Sequence, residues 1–173
     1  IGTDLYLISG SQSGGTYYGW KWNGSGWTSN SGIISGLSGV SRTHPTVFYI
    51  GSGLYMVSGN TAGNFDGWKW GGSGWSTNST IVSGLGSFYA YTHPEVATIG
   101  DTMYLISGGS NWFGSDWLGY TWNGSGWTSN SAIITGLPAS SNLPVPTVFS
   151  IGANYYLIRG HFDGTFNGHI AIE

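Results

Sequence analysis

An all-β fold, a β-propeller of four-stranded antiparallel blades with about four blades and incomplete terminal ones, is predicted by three observations. A ten-residue phrase recurs along the chain, every apolar segment is short and bounded by Gly, Asn or Pro, and no stretch carries a helical period. The phrase reads IGTDLYLISG at residue 1, IGSGLYMVSG at 50, IGDTMYLISG at 99 and IGANYYLIRG at 151. The period of about 49 residues lies in the propeller range. Residues 1–173 are therefore expected to form one domain of repeats starting near 1, 50, 99 and 151, either a whole array or a segment of a longer one.

Each repeat reads as four strands. The first is the β-branched and aromatic run Thr46-Val47-Phe48-Tyr49-Ile50, separated by Gly51-Ser52-Gly53 from Leu54-Tyr55-Met56-Val57, which is hairpin spacing. The second strand is continuously apolar, Leu5-Tyr6-Leu7-Ile8 in the first copy, as expected of an inner strand covered on both faces. The third holds Trp20-Lys21-Trp22, whose indoles at i and i+2 share one face while Lys21 takes the other. Asn23-Gly24 then opens a tight turn and Trp27 begins the fourth strand. NGSGWTSNS at 23 to 31, repeated at 123 to 131, and GGSGWSTNS at 71 to 79 are thus hairpin tips with an aromatic anchor. A solenoid fits less well because its rungs are shorter. An outer-membrane barrel would need strands of about 9–11 residues, where these run to about five to seven.

Composition narrows the function classes. Charged residues are only 6% against roughly 25% in an average soluble domain, with Gly at 32 and aromatics at 16%. The net charge of -3, with Lys21, Arg42, Lys69 and Arg159 as the firm cations, cannot neutralise a run of phosphates, so nucleic acid is not expected as a partner. No apolar run approaches the ~20 residues of a spanning helix, and membrane insertion is not expected. Zero cysteines exclude disulfides and thiolate chemistry. The Ser, Thr, Gly, Asn and aromatic surface suggests an extracellular or surface-exposed location, secreted or on a virion. The sequons at Asn23, Asn78 and Asn123 are candidate N-glycosylation sites.

GWKWNGSGW and LYLISG make the chain resemble lectin-type and kelch-like β-propeller repeats over essentially its whole length. The resemblance implies a non-catalytic binding scaffold, often for sugars.

The first place for a ligand is the loop between the second and third strands. Its end aligns as Thr16-Tyr17-Tyr18-Gly19, Asn64-Phe65-Asp66-Gly67, Asp116-Trp117-Leu118-Gly119 and Thr165-Phe166-Asn167-Gly168. A repeated sugar platform would use Tyr17, Tyr18, Phe65, Trp117 and Phe166 as ring faces, with Asp66 and Asn167 fixing hydroxyls. The plainer alternative is that these aromatics pack between blades, and the same holds for the tryptophans of the third and fourth strands. A secondary site is Arg42-Thr43-His44-Pro45, echoed at Tyr91-Thr92-His93-Pro94. His44 and His93 can bind ligand or report pH, although two equivalent histidines in different blades are expected to lie too far apart to share a metal. Catalysis is not expected: the seven acids are scattered, and GxSxG, HExxH and P-loop motifs do not occur. Neither a cofactor nor a metal is expected.

Counting strands leaves three copies of the first, four each of the second and third, and three of the fourth. An unpaired edge invites strand addition from another chain. The expected function is therefore an extracellular adhesion module that binds glycans or cell-surface ligands through blade loops. The alternative is a structural subunit of an extracellular filament, virion or tail appendage that self-associates by completing strands or blades between copies.

Overall fold

The computed structural model describes residues 1–11, 14–38, 44–87, 90–111, 114–138, 145–160 and 166–171. They form four antiparallel sheets in chain order. Sheet one contains β1 (Tyr6–Gly10), β2 (Tyr17–Trp22) and β3 (Trp27–Ser29). Sheet two contains β4 (His44–Ile50), β5 (Gly53–Gly59), β6 (Phe65–Trp70) and β7 (Trp75–Thr77). Sheet three contains β8 (Ala90–Ile99), β9 (Thr102–Asn111), β10 (Gly114–Trp122) and β11 (Trp127–Ser129), and sheet four contains β12 (Val145–Ile151), β13 (Asn154–Gly160) and β14 (Phe166–Ala171). In every sheet the strands lie side by side in chain order, so each is an up-and-down blade. Consecutive sheets pack face to face, with β4 against β8 and β8 against β12. This is the all-β, propeller-like arrangement the repeat predicts, with three described strands in each terminal sheet.

Register follows the turn chemistry. Ile50 pairs with Gly53, leaving Gly51-Ser52 as a two-residue turn with Gly51 at φ 57°. The third and fourth strands are joined by a four-residue turn in which Asn23 N–H donates to the Gly26 carbonyl at 3.1 Å. The Asn23 side-chain oxygen accepts from the Ser25 and Gly26 amides. The turn brings Trp22 opposite Trp27, and the same pair recurs as Trp70 with Trp75 and Trp122 with Trp127, edge to face at 5.2–5.5 Å.

The core is divided among the spaces between sheets. Leu54, Met56, Trp68 and Trp75 of sheet two close on Tyr17 and Ile8 of sheet one. Leu105, Tyr120 and Trp127 of sheet three close on Phe48, Val57 and Ile81. Leu157 of sheet four closes on Ile106 and Trp117. The continuous apolar run is covered on both faces in β5, where Met56 and Val57 are both fully buried. The first copy departs from that expectation: Leu5 is 58% and Leu7 41% exposed, because no described sheet lies on their side. Among the described residues, exposed large apolar side chains occur only in the N-terminal segment, sheets one and four, and at Val47 and Tyr49 of β4.

A further element is one that periodicity does not predict. After the fourth strand the chain makes a short 3₁₀ turn, at Gly32–Ile34, Ser79–Val82 and Ser131–Ile134. Asn30, Asn78 and Asn130 each cap it, their side-chain oxygens accepting from the Ile33, Ile81 and Ala132 amides. This turn holds the next sheet. Trp75 donates its indole N–H to the Ile33 carbonyl at 2.7 Å and its amide to Ser35, and Trp127 repeats both bonds to Ile81 and Ser83. Gly36 and Gly84 follow at φ +83°, and a Cβ there would collide with the Trp75 or Trp127 carbonyl oxygen. Only glycine allows so close an approach.

Replacing Trp75 or Trp127 with Ala removes ring burial and an indole bond together and is expected to cost about 3–5 kcal/mol in urea unfolding, against under about 1 for Trp27→Ala, which is 44% exposed. Gly36→Ala and Gly136→Ala impose the same positive-φ strain, but the Cβ at Gly136 meets nothing within 4 Å. Gly36→Ala is therefore expected to lose over about 1 kcal/mol more than Gly136→Ala; equal losses would remove the close approach as a stabilising feature.

Candidate functional site

The up-and-down topology sorts the connections between two ends. His44 pairs with Gly59 and Gly59 with Phe65, so the start of β4, the end of β5 and the start of β6 share one end. Gly10 with Tyr17, His93 with Gly108 and Gly160 with Phe166 mark the same end in the other sheets. The strand ends that flank the variable loops therefore lie at that end, and the regular glycine turns lie at the other end with Asn23 and Asn123. Those two sequon asparagines are exposed, whereas Asn78 is half-buried as a turn cap.

The four aligned aromatics do not share one environment. Tyr17 is 4% exposed, its ring edge on Trp68 at 5.9 Å, and burial pushes its hydroxyl up to about 12. Trp117 is 8% exposed and donates its indole N–H to the Pro138 carbonyl at 3.1 Å. Phe65 is half-buried against the core between sheets two and three. Tyr17 and Trp117 are thus buried between sheets, while Phe65 packs there and keeps part of its surface exposed. Tyr18, Phe166 and Asn167 are exposed. Arg42, Thr43 and Thr165 lie outside the described residues, as does the side chain of Asp116.

Asp66 sits in a built polar network. Asn60, 4% exposed, donates its side-chain amide to the Asp66 carboxylate at 3.1 Å, and its side-chain oxygen accepts from the Ala62 and Asn64 amides. Thr92 of β8, fully buried, accepts from the Asn60 amide at 2.9 Å and donates to the Asn64 carbonyl at 3.0 Å. The loop of sheet two is thus tied to sheet three, and Asp66 is held half-buried in a fixed orientation.

The histidine expectation needs correction. His44 and His93 are not far apart: their rings stack at 3.7 Å between centroids, 22° from parallel. First strands of consecutive sheets lie against each other, so residues at their starts converge. Rings stacked near parallel keep their in-plane lone pairs in separate planes instead of aiming them at one point. Among the described residues, no group of three or more His, Asp or Glu could hold a metal. His93 is 6% exposed, and burial, with His44 adding to it, drops its pKa to about 3.

Two further residues of this region carry no motif in the sequence. Glu95 occupies the register position held by Thr46 in β4 and Thr147 in β12, so one acid replaces a threonine where first strands meet. Burial pushes its carboxyl up to about 7, offset by hydrogen bonds from the Val148 amide and Thr46. Arg159, 3% exposed, stands where Ser9, Ser58 and Ser107 stand in the other repeats and donates to the Pro138 carbonyl at 3.1 Å. Both are visible as single breaks in an otherwise repeated phrase.

No family model and no curated protein matches the chain. Among solved structures it is similar to a fucose lectin from Kordia zhangzhouensis in complex with methyl-fucoside, with a TM-score of 0.45 and 17% identity over 74% of this chain and 91% of that one. A likeness at that level carries no inference about this chain.

Glu95 and His93 give opposite pH dependences. The Glu95 pKa is raised on folding, so its contribution is full below about pH 4.5 and is lost as pH rises through about 7. The His93 pKa is depressed, so its contribution is present above about 6.5 and is lost as pH falls through about 3. Glu95→Gln is expected to match the unmodified chain near pH 4 and to exceed it by about 2–3 kcal/mol at pH 8 in urea titrations. A variant less stable at pH 8 would contradict the burial assigned to this carboxyl.

Proposed function

We propose that the chain is a non-catalytic extracellular binding module that takes glycans at the end where the variable loops gather. The observation that carries this reading is the Asn60–Asp66 network, in which a carboxylate accepts from the buried Asn60 side-chain amide and the Asn60 loop is itself held by the Thr92 hydroxyl. Carboxylates and amides held this way bind sugar hydroxyls in pairs without reorganising, which is what a weakly charged polar ligand requires. Exposed Phe166 beside Asn167 adds an aromatic ring and an amide at the same end of sheet four. N-glycans at Asn23 and Asn123 would sit at the opposite end and leave the loops clear.

A second reading, a structural subunit of an extracellular filament, virion or tail appendage, is favoured by a different observation. Large apolar side chains are exposed on the terminal sheets and, among the described residues, not on the middle ones, apart from Val47 and Tyr49 of β4.

A glycan array probed with the chain, followed by titration of retained sugars, tests the first reading. Asp66→Ala is expected to weaken binding by at least about tenfold, with the melting temperature followed in parallel. Retention of no glycan, or affinity unchanged in the Asp66 variant, would remove it.

A further inference from the structure

At the loop end, sheets two and three meet through two imidazoles. His44 begins β4 and pairs with Gly59, the last residue of β5, while His93 lies near the start of β8 and pairs with Gly108. The two rings stack at 3.7 Å across the joint between the sheets. A Cβ at Gly59 would collide with the Thr92 carbonyl and hydroxyl oxygens, so the end of β5 lies in direct contact with the residue that precedes His93. Thr92 in turn makes three hydrogen bonds to the Asn60 loop. Its amide donates to the Asn60 carbonyl at 3.3 Å, its hydroxyl oxygen accepts from the Asn60 amide at 2.9 Å, and the hydroxyl donates to the Asn64 carbonyl at 3.0 Å.

The stack accommodates uncharged rings. His93 is buried, and its Nδ1 has no hydrogen-bond partner among the described residues. In a neutral imidazole with its proton on Nε2, that nitrogen is a lone acceptor and the loss is modest. An imidazolium carries a proton on both nitrogens and would leave a charged N–H donor buried without an acceptor, which costs far more. A positive charge on each ring would also set two like charges at stacking distance. Of the strands packed against β8, β4 brings His44 and Tyr49, β5 Tyr55 and β9 Tyr104, while β12 brings no titratable side chain. The three tyrosines stand toward the glycine-turn ends of their strands. Glu95 follows two residues along β8, bonded to Thr46 and the Val148 amide, and Asp66 of β6 is held by Asn60. Arg42 and the side chain of Tyr91 lie outside the described residues. Burial first and His44 second depress the His93 pKa, and neither carboxylate offsets them.

We propose that the stack of His44 on His93 is an acid-sensitive latch: proton uptake by His93 parts sheets two and three at the loop end, frees Thr92 from the Asn60 loop and so releases Asp66 from its fixed position. His93 is neutral in the closed latch and regains its ordinary basicity once the latch opens. Closure is therefore complete above about pH 6.5 and weakens about tenfold per pH unit as pH falls from there toward 3. Glu95 works in the opposite direction, because its raised pKa favours the folded state as pH falls through about 7. The latch does not rest on the glycan reading; only its effect on a ligand at Asp66 does.

Amide exchange with deuterium tests the latch without any ligand, read by NMR at Asn60, Thr92 and Leu105 and corrected for the intrinsic pH dependence of exchange. Glu95→Gln serves as the parent, because it removes the carboxyl that titrates in the same window. Between pH 7 and pH 5 the protection of the Asn60 and Thr92 amides should fall about 25-fold. It should also stay below that of fully buried Leu105, since the latch opens without the rest of sheet three. His93→Phe in the same parent keeps a ring on His44 and takes no proton, and should hold both amides within about threefold over that range. The His93 ring-proton shifts of the parent should stay those of a neutral imidazole throughout. Protection that does not change with pH in the parent, that equals Leu105, or that falls as steeply in His93→Phe would overturn the proposal. A His93 ring that titrates near its ordinary pKa in the folded parent would overturn it as well, and that reading stands even where the Phe variant fails to fold.

Discussion

Trp75 and Trp127 each donate an indole N–H to a carbonyl in the preceding sheet's 3₁₀ turn, while a glycine just beyond that carbonyl lets the tryptophan backbone come into direct contact. A hydrogen bond from a buried indole, the burial of the ring itself and a backbone-to-backbone bond act at one point, and each requires the others. A sheet of three or four short strands has two apolar faces and cannot stand alone in water. The joint fixes the angle and distance at which consecutive sheets cover one another. The turn caps at Asn30, Asn78 and Asn130 and the edge-to-face tryptophan pairs serve that same point from either side.

With sheets held in this way at their outer strands, the starts of the first strands are brought together at the other margin. That convergence puts His44 on His93, buries Glu95 between Thr46 and Val148, and lets Thr92 reach the Asn60 loop of the neighbouring sheet. The loop end holds fixed polar groups, the Asp66 carboxylate on the Asn60 amide and the Thr92 hydroxyl on the Asn60 loop. The terminal sheets carry apolar residues at the positions that are buried in the middle ones, and none of the described residues covers them. Exposure of Leu5, Leu7 and Trp27 is thus a property of position in the array and not of residue type.

Much of this is legible from repetition. The phrases LYLISG and WKWNGSGW place the described strands and their order, because glycine turns and apolar runs act locally. The 3₁₀ turn is not legible, since three or four residues are too few to show a period and Ile33-Ile34 reads equally well as the end of a strand. The site is harder still. Tyr17, Phe65 and Trp117 repeat because packing repeats, and a single sequence does not distinguish a ring that faces a ligand from one that faces the next sheet. Asp66, next to one of those rings, is the acid that the buried Asn60 amide holds, and the sequence does not show that the two meet. The stacking of His44 on His93 is hidden for a related reason: sequence separation says nothing of which strand starts converge once sheets are packed.

Exchange of the indole N–H protons with deuterium, carried out on dilute monomer and read for each tryptophan, tests the central joint most directly. Trp75 and Trp127 should exchange only through opening of the fold, close to the slowest backbone amides, while Trp27 should exchange as an exposed indole does, faster by several orders of magnitude. Similar rates for all three would mean that the turn carbonyls do not hold the sheets together, and the account of the fold would fail with them.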